Sequence, residues 1–466
     1  MPPAPPIRAA AANYHFHTYD YVGSAAAAAG PWALSPAQPN ANFWQFYSLV
    51  QDMAGLQQVG AANGVPNIAL HFVGGGIGPN NLITIALSFG SNAPNAPTVV
   101  ITGGIHAREW IAPEFVYLLA EYLIIHYTTA PQNRYQRAIR DLVNSRRIYI
   151  LPMLNPEGNE FTVFTAGGRL WRKNRRPLPG TAANWLALVA PGGNTNPPFA
   201  NAQAPPPGNL ADYRVPDYDF TNHIPPNAPP NYRQTTLANG QTGVDLNRNC
   251  GTLAWGYDNP IPTVAGPVVW IGGDPVHDVY CGPGAGSEVE TGNVQQALFN
   301  AFNAGNPPGL ATAIDYHSYG QYILYPSETF NNGGVGPDYS TLGQVLRHLI
   351  RSQAALDYQL GSPRQLVQYD ATGTITDHAA QQYHARAFTV ELDPQQVPGG
   401  GGPGFQLQEN QIMTVFEKNI RGALAAIAAP AAPAGPFQAQ LQRLTIGLSM
   451  LQFLTWNVYG RGNQLP

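Results

Sequence analysis

The sequence predicts an α/β protein with a central mixed, mostly parallel sheet flanked by helices, and three observations carry that prediction. First, residues 97–156 read as a strand, a turn, a long apolar helix and a second strand, the unit that links neighbouring parallel strands. Second, the apolar runs "LATAIDYH" and "ARAFTVELD" read as further strands, separated by the helical "YSTLGQVLRHLIRSQAAL". Third, His106, His317 and Glu391 each stand where one of these strands ends, the place where open α/β sheets collect function.

The elements follow in order. Residues 14–90 mix helix-like and strand-like stretches without a clear motif. Val99 to Thr102 is a short β-branched strand, punctuated by Gly103 and Gly104, and the helix "APEFVYLLAEYLIIHY" opens near Trp110. "RRIYILPML" supplies the next strand. Residues 178–241 are rich in Pro, Asn and Ala, and the prolines exclude regular structure over most of that stretch. "LATAIDYHSYGQYILYP" then reads as two strands around a polar turn, and "ENQIMTVFEKNIRGALAAI" as a final helix. A Pro/Ala hinge, "APAAPAGP", sets off the end of the chain. The expected layout is an N-terminal extension (1–13), one domain (14–428) with a Pro-rich insertion (178–241), and a hinge with a tail (429–466).

Composition bounds the function. With 44% hydrophobic residues in 466, a sizeable core is within reach, while 23 basic and 27 acidic side chains give a net charge of −4. That balance argues against nucleic acid or an anionic membrane as partner. No stretch approaches the roughly 20 apolar residues a membrane span needs. The N-terminus shows no apolar leader, so a cytoplasmic location is the default expectation. Cys250 and Cys281 could form one disulfide or remain two buried thiols.

His106 and Glu109 sit on the turn between a strand and a helix. Alone, His106 could bond locally and Glu109 could merely favour a helix N-terminus. His317 alone could be a satisfied core histidine, and Glu391 a buried partner of an arginine. Their joint placement at strand ends favours chemistry instead. A His/Glu/His set is a catalytic zinc arrangement that leaves a fourth position for water, whose pKa zinc lowers to roughly 7. Glu391, outside the ligand set, could take that water's proton and pass it to a leaving amine. The stretch "GGRLWRKNRRP" gathers basic residues around Trp171, and "GVDLNRNC" offers Asn247 and Arg248. Guanidinium forks suit carboxylates and developing oxyanions, so separate arginines could polarise a carbonyl and hold a terminal carboxylate.

The motifs "GIHAREWIAPE", "NPEGNEFT", "RLWRKNR", "GVDLNRN", "GSEVET", "DYHSYGQYILYP" and "FTVELD" occur in the order found in the zinc metallocarboxypeptidases. The chain resembles the carboxypeptidase A/B-like branch of that family over residues 42–427, with "GFQLQENQI" similar to its closing segment. The resemblance implies a carboxypeptidase-like α/β/α fold holding one zinc ion per chain. It implies His106, Glu109 and His317 as zinc ligands, Glu391 as general base, and Arg172 as the group that polarises the scissile carbonyl. Asn247 and Arg248 would bind the substrate's C-terminal carboxylate, Tyr369 would close over it, and Arg108, Ser318, Tyr319 and Phe405 would line the cleft further along the peptide. Cys250 and Cys281 bracket a region where some relatives carry disulfides. The implied partners are peptide or protein C-termini, met by a monomer.

Three departures modify this picture. No inhibitory pro-domain is recognisable, so the resemblance gives no support for control by activation cleavage. The 178–241 insertion replaces a short connection and is expected to rim the cleft. At the position before Asp377, apolar or acidic in the two branches, stands Thr376, and Glu328 in "YPSE" is a candidate acid for the pocket that receives the terminal side chain. Two other readings compete. A zinc amidase or deacylase would usually lose the Asn-Arg clamp, and a non-catalytic peptide-binding protein would lose a ligand or the base. This sequence keeps all of them.

Overall fold

A computed structural model of the chain describes residues 46–75, 82–164, 170–176, 243–252, 255, 278–282, 284–306, 309–326, 337–350, 358–367, 371–395, 404–405, 407 and 411–429. The 1–13 extension, the 178–241 insertion, the tail beyond 429, Glu328 and Tyr369 lie outside the described residues. In chain order the elements are α1 (Phe46–Ala62), β1 (Ala69–Gly75), β2 (Ile83–Gly90), β3 (Thr98–Gly103), α2 (Ile111–His126), α3 (Arg134–Ser145), β4 (Arg147–Leu151) and α4 (Pro156–Phe164). They continue with a 3-10 turn (Leu246–Arg248), α5 (Val289–Asn303), β5 (Thr312–Gly320), β6 (Tyr322–Leu324), α6 (Pro337–Leu349), β7 (Gln359–Gly361), α7 (Pro363–Leu366), α8 (Ile375–Tyr383), β8 (Arg386–Gln395) and α9 (Ile412–Ala428). Among the described residues no helix is long and apolar enough to cross a membrane.

The strands form one mixed sheet in the order β1-β2-β4-β3-β5-β8-β6-β7. Parallel pairing runs through the centre, β4–β3–β5–β8, as the strand–helix–strand pattern predicts. The stretch before residue 90 carries no legible motif, yet it supplies α1 and the antiparallel pair β1–β2 at one edge. From β3 the chain passes through α2 and α3 to β4 on one side, while β5 lies on the other. The carboxyl end of β3 is therefore a switch point, where neighbouring connections diverge and leave a crevice.

Helix α2 fills the space above the sheet. Every residue from Ile111 to His126 is buried, as expected of a helix apolar on nearly all sides. Phe115 packs its ring 4.5 Å from that of Tyr316 on β5 and 5.7 Å from that of Phe416 on α9. These contacts lock the helix that follows the Glu109 turn onto the strand that carries His317. Replacing Phe115 with Ala should cost about 3–5 kcal/mol, the range for emptying a buried aromatic site, measured by chemical denaturation of the wild type and the variant side by side.

Candidate metal centre

The centre is built by register. The last pair between β3 and β5 is Gly103 with Tyr316, so β3 stops one residue short of His317. On the other side of β5, His317 pairs with Glu391. Both strands run on, to Gly320 and Gln395, so His317 and Glu391 lie within their strands and not at the ends, as their sequence context suggests. The reason is β6, which pairs antiparallel with β8 at Tyr322–Glu391 and extends the ladder.

The chain leaves β3 through Gly104, at φ +65°, where a Cβ would lie 3.1 Å from the Pro152 carbonyl oxygen. Only glycine accepts that turn without strain. It delivers His106 and Glu109 into the crevice, both almost fully buried. Glu109 Oε1 lies 2.7 Å from His106 Nδ1, and its Oε2 lies 3.0 Å from His317 Nδ1. The two Nδ1 atoms are 3.1 Å apart. Candidate ligand atoms from all three residues thus lie within 4.8 Å of one another.

The far sides of both rings meet carboxylates. Asp315 Oδ2 lies 2.7 Å from His317 Nε2, and Asp245 Oδ1 lies 3.3 Å from His106 Nε2. At His317 a proton held at Nε2 by Asp315 leaves the Nδ1 lone pair to a metal at the centre, and Asp245 stands on the matching side of the His106 ring. Two imidazole nitrogens, one carboxylate and carboxylate-oriented rings fit zinc. Burial opposes a charge on His317, but Asp315 and Glu109 outweigh it and hold its pKa well above the usual value. For His106 burial wins, with Arg172 adding to it, and its pKa falls.

Asp245 and Asp315 are functional neighbours that the sequence reading does not assign. Asp315 was open to inference, because residues two apart on a strand share a face. Thr102 on β3 fixes it by donating to Oδ1 at 2.6 Å. Asp245 also accepts from Arg172 Nε at 2.8 Å, which places the guanidinium 3.8 Å from Glu109 Oε1. Burial acts to raise Asp245, yet Arg172 and His106 hold its carboxyl well below the usual range. The Asp245 side chain also caps the 3-10 turn by accepting from the Asn247 amide at 3.0 Å. On that turn Asn247 Oδ1 accepts from Ile375 N, and Arg248 Nη1 donates to the Asn247 carbonyl at 2.8 Å.

The remaining candidates form a second group beside the centre. Arg108 lies 4.3 Å from the Phe405 ring centroid and donates to Asp278 at 3.0 Å, while the Tyr319 and Phe405 rings are 4.9 Å apart, edge to face. The Ser318 amide donates to Glu109 Oε2 at 3.2 Å. Thr376 is buried, with its hydroxyl 3.1 Å and 3.2 Å from those of Thr374 and Thr389. Cys250 and Cys281 are both buried and are not joined by a disulfide, so of the two arrangements the sequence allows, two thiols is the one found. Cys250 packs into the apolar cluster of Leu246, Val294, Ile375 and Ala379.

A family model described as zinc carboxypeptidase matches residues 62–422. The chain is similar to carboxypeptidase B of Astacus astacus, with 26% identity over 341 residues that cover 72% of this chain and 82% of that protein. It is 24% identical over 347 residues to metallocarboxypeptidase A of Trichophyton tonsurans, covering 72% of this chain and 60% of that relative's length. The crystal structure of carboxypeptidase A from Helicoverpa armigera shares the fold, with a TM-score of 0.55 at 22% identity over 83% of this chain and 74% of that one.

Burial pushes the Glu391 carboxyl up to about 8, opposed by His317 and reinforced by Glu109. A carboxyl whose folded pKa is raised stabilises the fold below its unfolded value, near 4.5, and loses that contribution as pH rises through about 8. In metal-free protein, Glu391→Gln should therefore gain stability relative to the wild type between those pH values and level off above them. Thermal midpoints of both proteins across that range check this, and a constant difference would contradict it.

Proposed function

This chain belongs to the zinc carboxypeptidase family, and we propose that its metal centre and neighbouring arginines remove single C-terminal residues from peptides. The observation that carries this reading is the gathering of His106, Glu109 and His317 in one buried array, with Asp245 linking it to Arg172. His106, Glu109 and His317 would hold zinc, which when bound acts as a Lewis acid and lowers the pKa of water to about 7.

The chain's own residues account for the rest. Glu391, in register with His317, takes a proton from the attacking water and returns it to the departing amine. Arg172, anchored by Asp245, stabilises the oxyanion that develops at the scissile carbonyl. Asn247 and Arg248 receive the substrate's terminal carboxylate. An internal peptide bond supplies no carboxylate to meet the Asn247 and Arg248 side chains, which makes the activity exopeptidic. Ser318, and the Arg108, Tyr319 and Phe405 group, would contact the peptide upstream. Tyr369 would close over the bound end, and Glu328 would set the terminal residue preferred.

The test is mass spectrometry of peptides that differ only in the C-terminal residue, one of them amidated, with and without a zinc chelator. Loss of one residue, blocked by the chelator and absent from the amide, is the expected result. Equal cleavage of the amide would instead favour an amidase. Glu391→Gln should lower kcat by about 10²–10⁴-fold, the usual worth of a general base, with zinc content unchanged. Arg248→Ala should act mainly through KM and erase the discrimination against the amide, read from steady-state kinetics on the acid and amide pair.

A further inference from the structure

The segment "NPEGNEFT" has no role in the reaction above, yet its first residue touches both halves of the site. Resting on the proposed function, we propose that Asn155 is a positioning residue that staples the Arg172 segment to the His106 turn.

Asn155 is fully buried immediately before α4. Its Nδ2 donates to the Ile105 carbonyl and to the Lys173 carbonyl, each at 3.1 Å. Ile105 precedes His106, and Lys173 follows Arg172. Its backbone N–H donates to the Gly104 carbonyl at 3.1 Å, and its Oδ1 accepts from Gly158 N at 3.0 Å. That last bond fixes which way the carboxamide faces, so both amide hydrogens meet a carbonyl. A carboxylate has no donor and a serine has one, so the pattern demands a short amide.

Gly158 completes the device. A Cβ there would lie 2.6 Å from Asn155 Nδ2, from Asn155 Oδ1 and from the Lys173 carbonyl oxygen, closer than real Cβ contacts allow. A second tether runs parallel to the staple, from Ala107 N to the Arg172 carbonyl at 2.9 Å. Farther along α4, Thr162 accepts from Trp110 Nε1 at 2.8 Å and approaches the Ala107 carbonyl at 3.2 Å, so one helix braces the whole metal-ligand turn. The separation between the metal ligands and the oxyanion-binding guanidinium is therefore set by α4, which itself contributes no group to the reaction.

The experiment compares Asn155→Ala in the wild type and in an Arg172→Ala background, and measures zinc affinity by chelator competition on each. Since an error of about 1 Å at a catalytic group can cost about 10²-fold in rate, kcat should fall about 10–100-fold with KM within about threefold. In the Arg172→Ala background that loss should shrink to under about threefold, because the two residues act as one unit. The zinc dissociation constant should rise about tenfold, as for other losses of support behind a ligand. A kcat loss of the same size with and without Arg172, or an unchanged zinc constant, overturns the proposal. If Asn155→Ala does not fold, Gly158→Ala is read the same way, since its methyl strikes the staple without removing a donor. A wild type that binds zinc but releases no residue would count against the proposed function, and the staple is then judged on the zinc constant alone.

Discussion

The feature on which the rest depends is a difference in length between neighbouring strands. β3 ends at Gly103 while β5 and β8 continue in register beside it. Where β3 is missing, His317 has no neighbour in the sheet on that side, and the chain leaving β3 turns back across the gap with His106 and Glu109. A longer β3 would fill the crevice with backbone. A shorter β5 would leave His317 on a loop, without Thr102 and Asp315 to hold its ring. His317 and Glu391 thus sit on hydrogen-bonded strands, which hold side chains more tightly than loops do.

Electrostatics follow from that geometry. Glu109, Asp245 and Asp315 converge on two imidazoles in a buried site, an arrangement that favours a cation at the centre and orients both rings toward it. The same burial pushes Glu391 upward, while Glu109 is pulled down by the two histidines and Asp245 by Arg172 and His106. Carboxylates within one crevice are therefore separated into a proton carrier and fixed anions by what each faces. Asp245 links the parts, since one side chain meets His106, Arg172 and the Asn247 amide.

Much of this was legible in the sequence. The strands around Val99, Ile150, Ile314 and Val390 announce themselves by β-branched apolar runs, and the spacing of His106 and Glu109 on a Gly-bounded turn points to a ligand site. Helix α5 was legible in principle, because Val294, Ala297, Leu298 and Ala301 follow helical spacing, but the glycines and turn residues around it mask its start. The edge pair β1–β2 was not, because "ALHFVGG" is short, Gly-ended and tied to its partner only by tertiary pairing. Asp315 could be read from its place two residues before His317. Asn155 could not, because its worth lies in two carbonyls that are distant in the chain and carry no side-chain signal.

The most direct test of the central claim is crystallographic. Crystals grown with zinc and measured at its absorption edge should show one strong anomalous peak about 2.0–2.2 Å from His106 Nδ1, His317 Nδ1 and a Glu109 oxygen, the usual zinc–ligand distances. Asp245 and Asp315 should remain on the far nitrogens of the two rings. A peak on other residues, or ligation through Nε2 with the carboxylates displaced, would contradict the account.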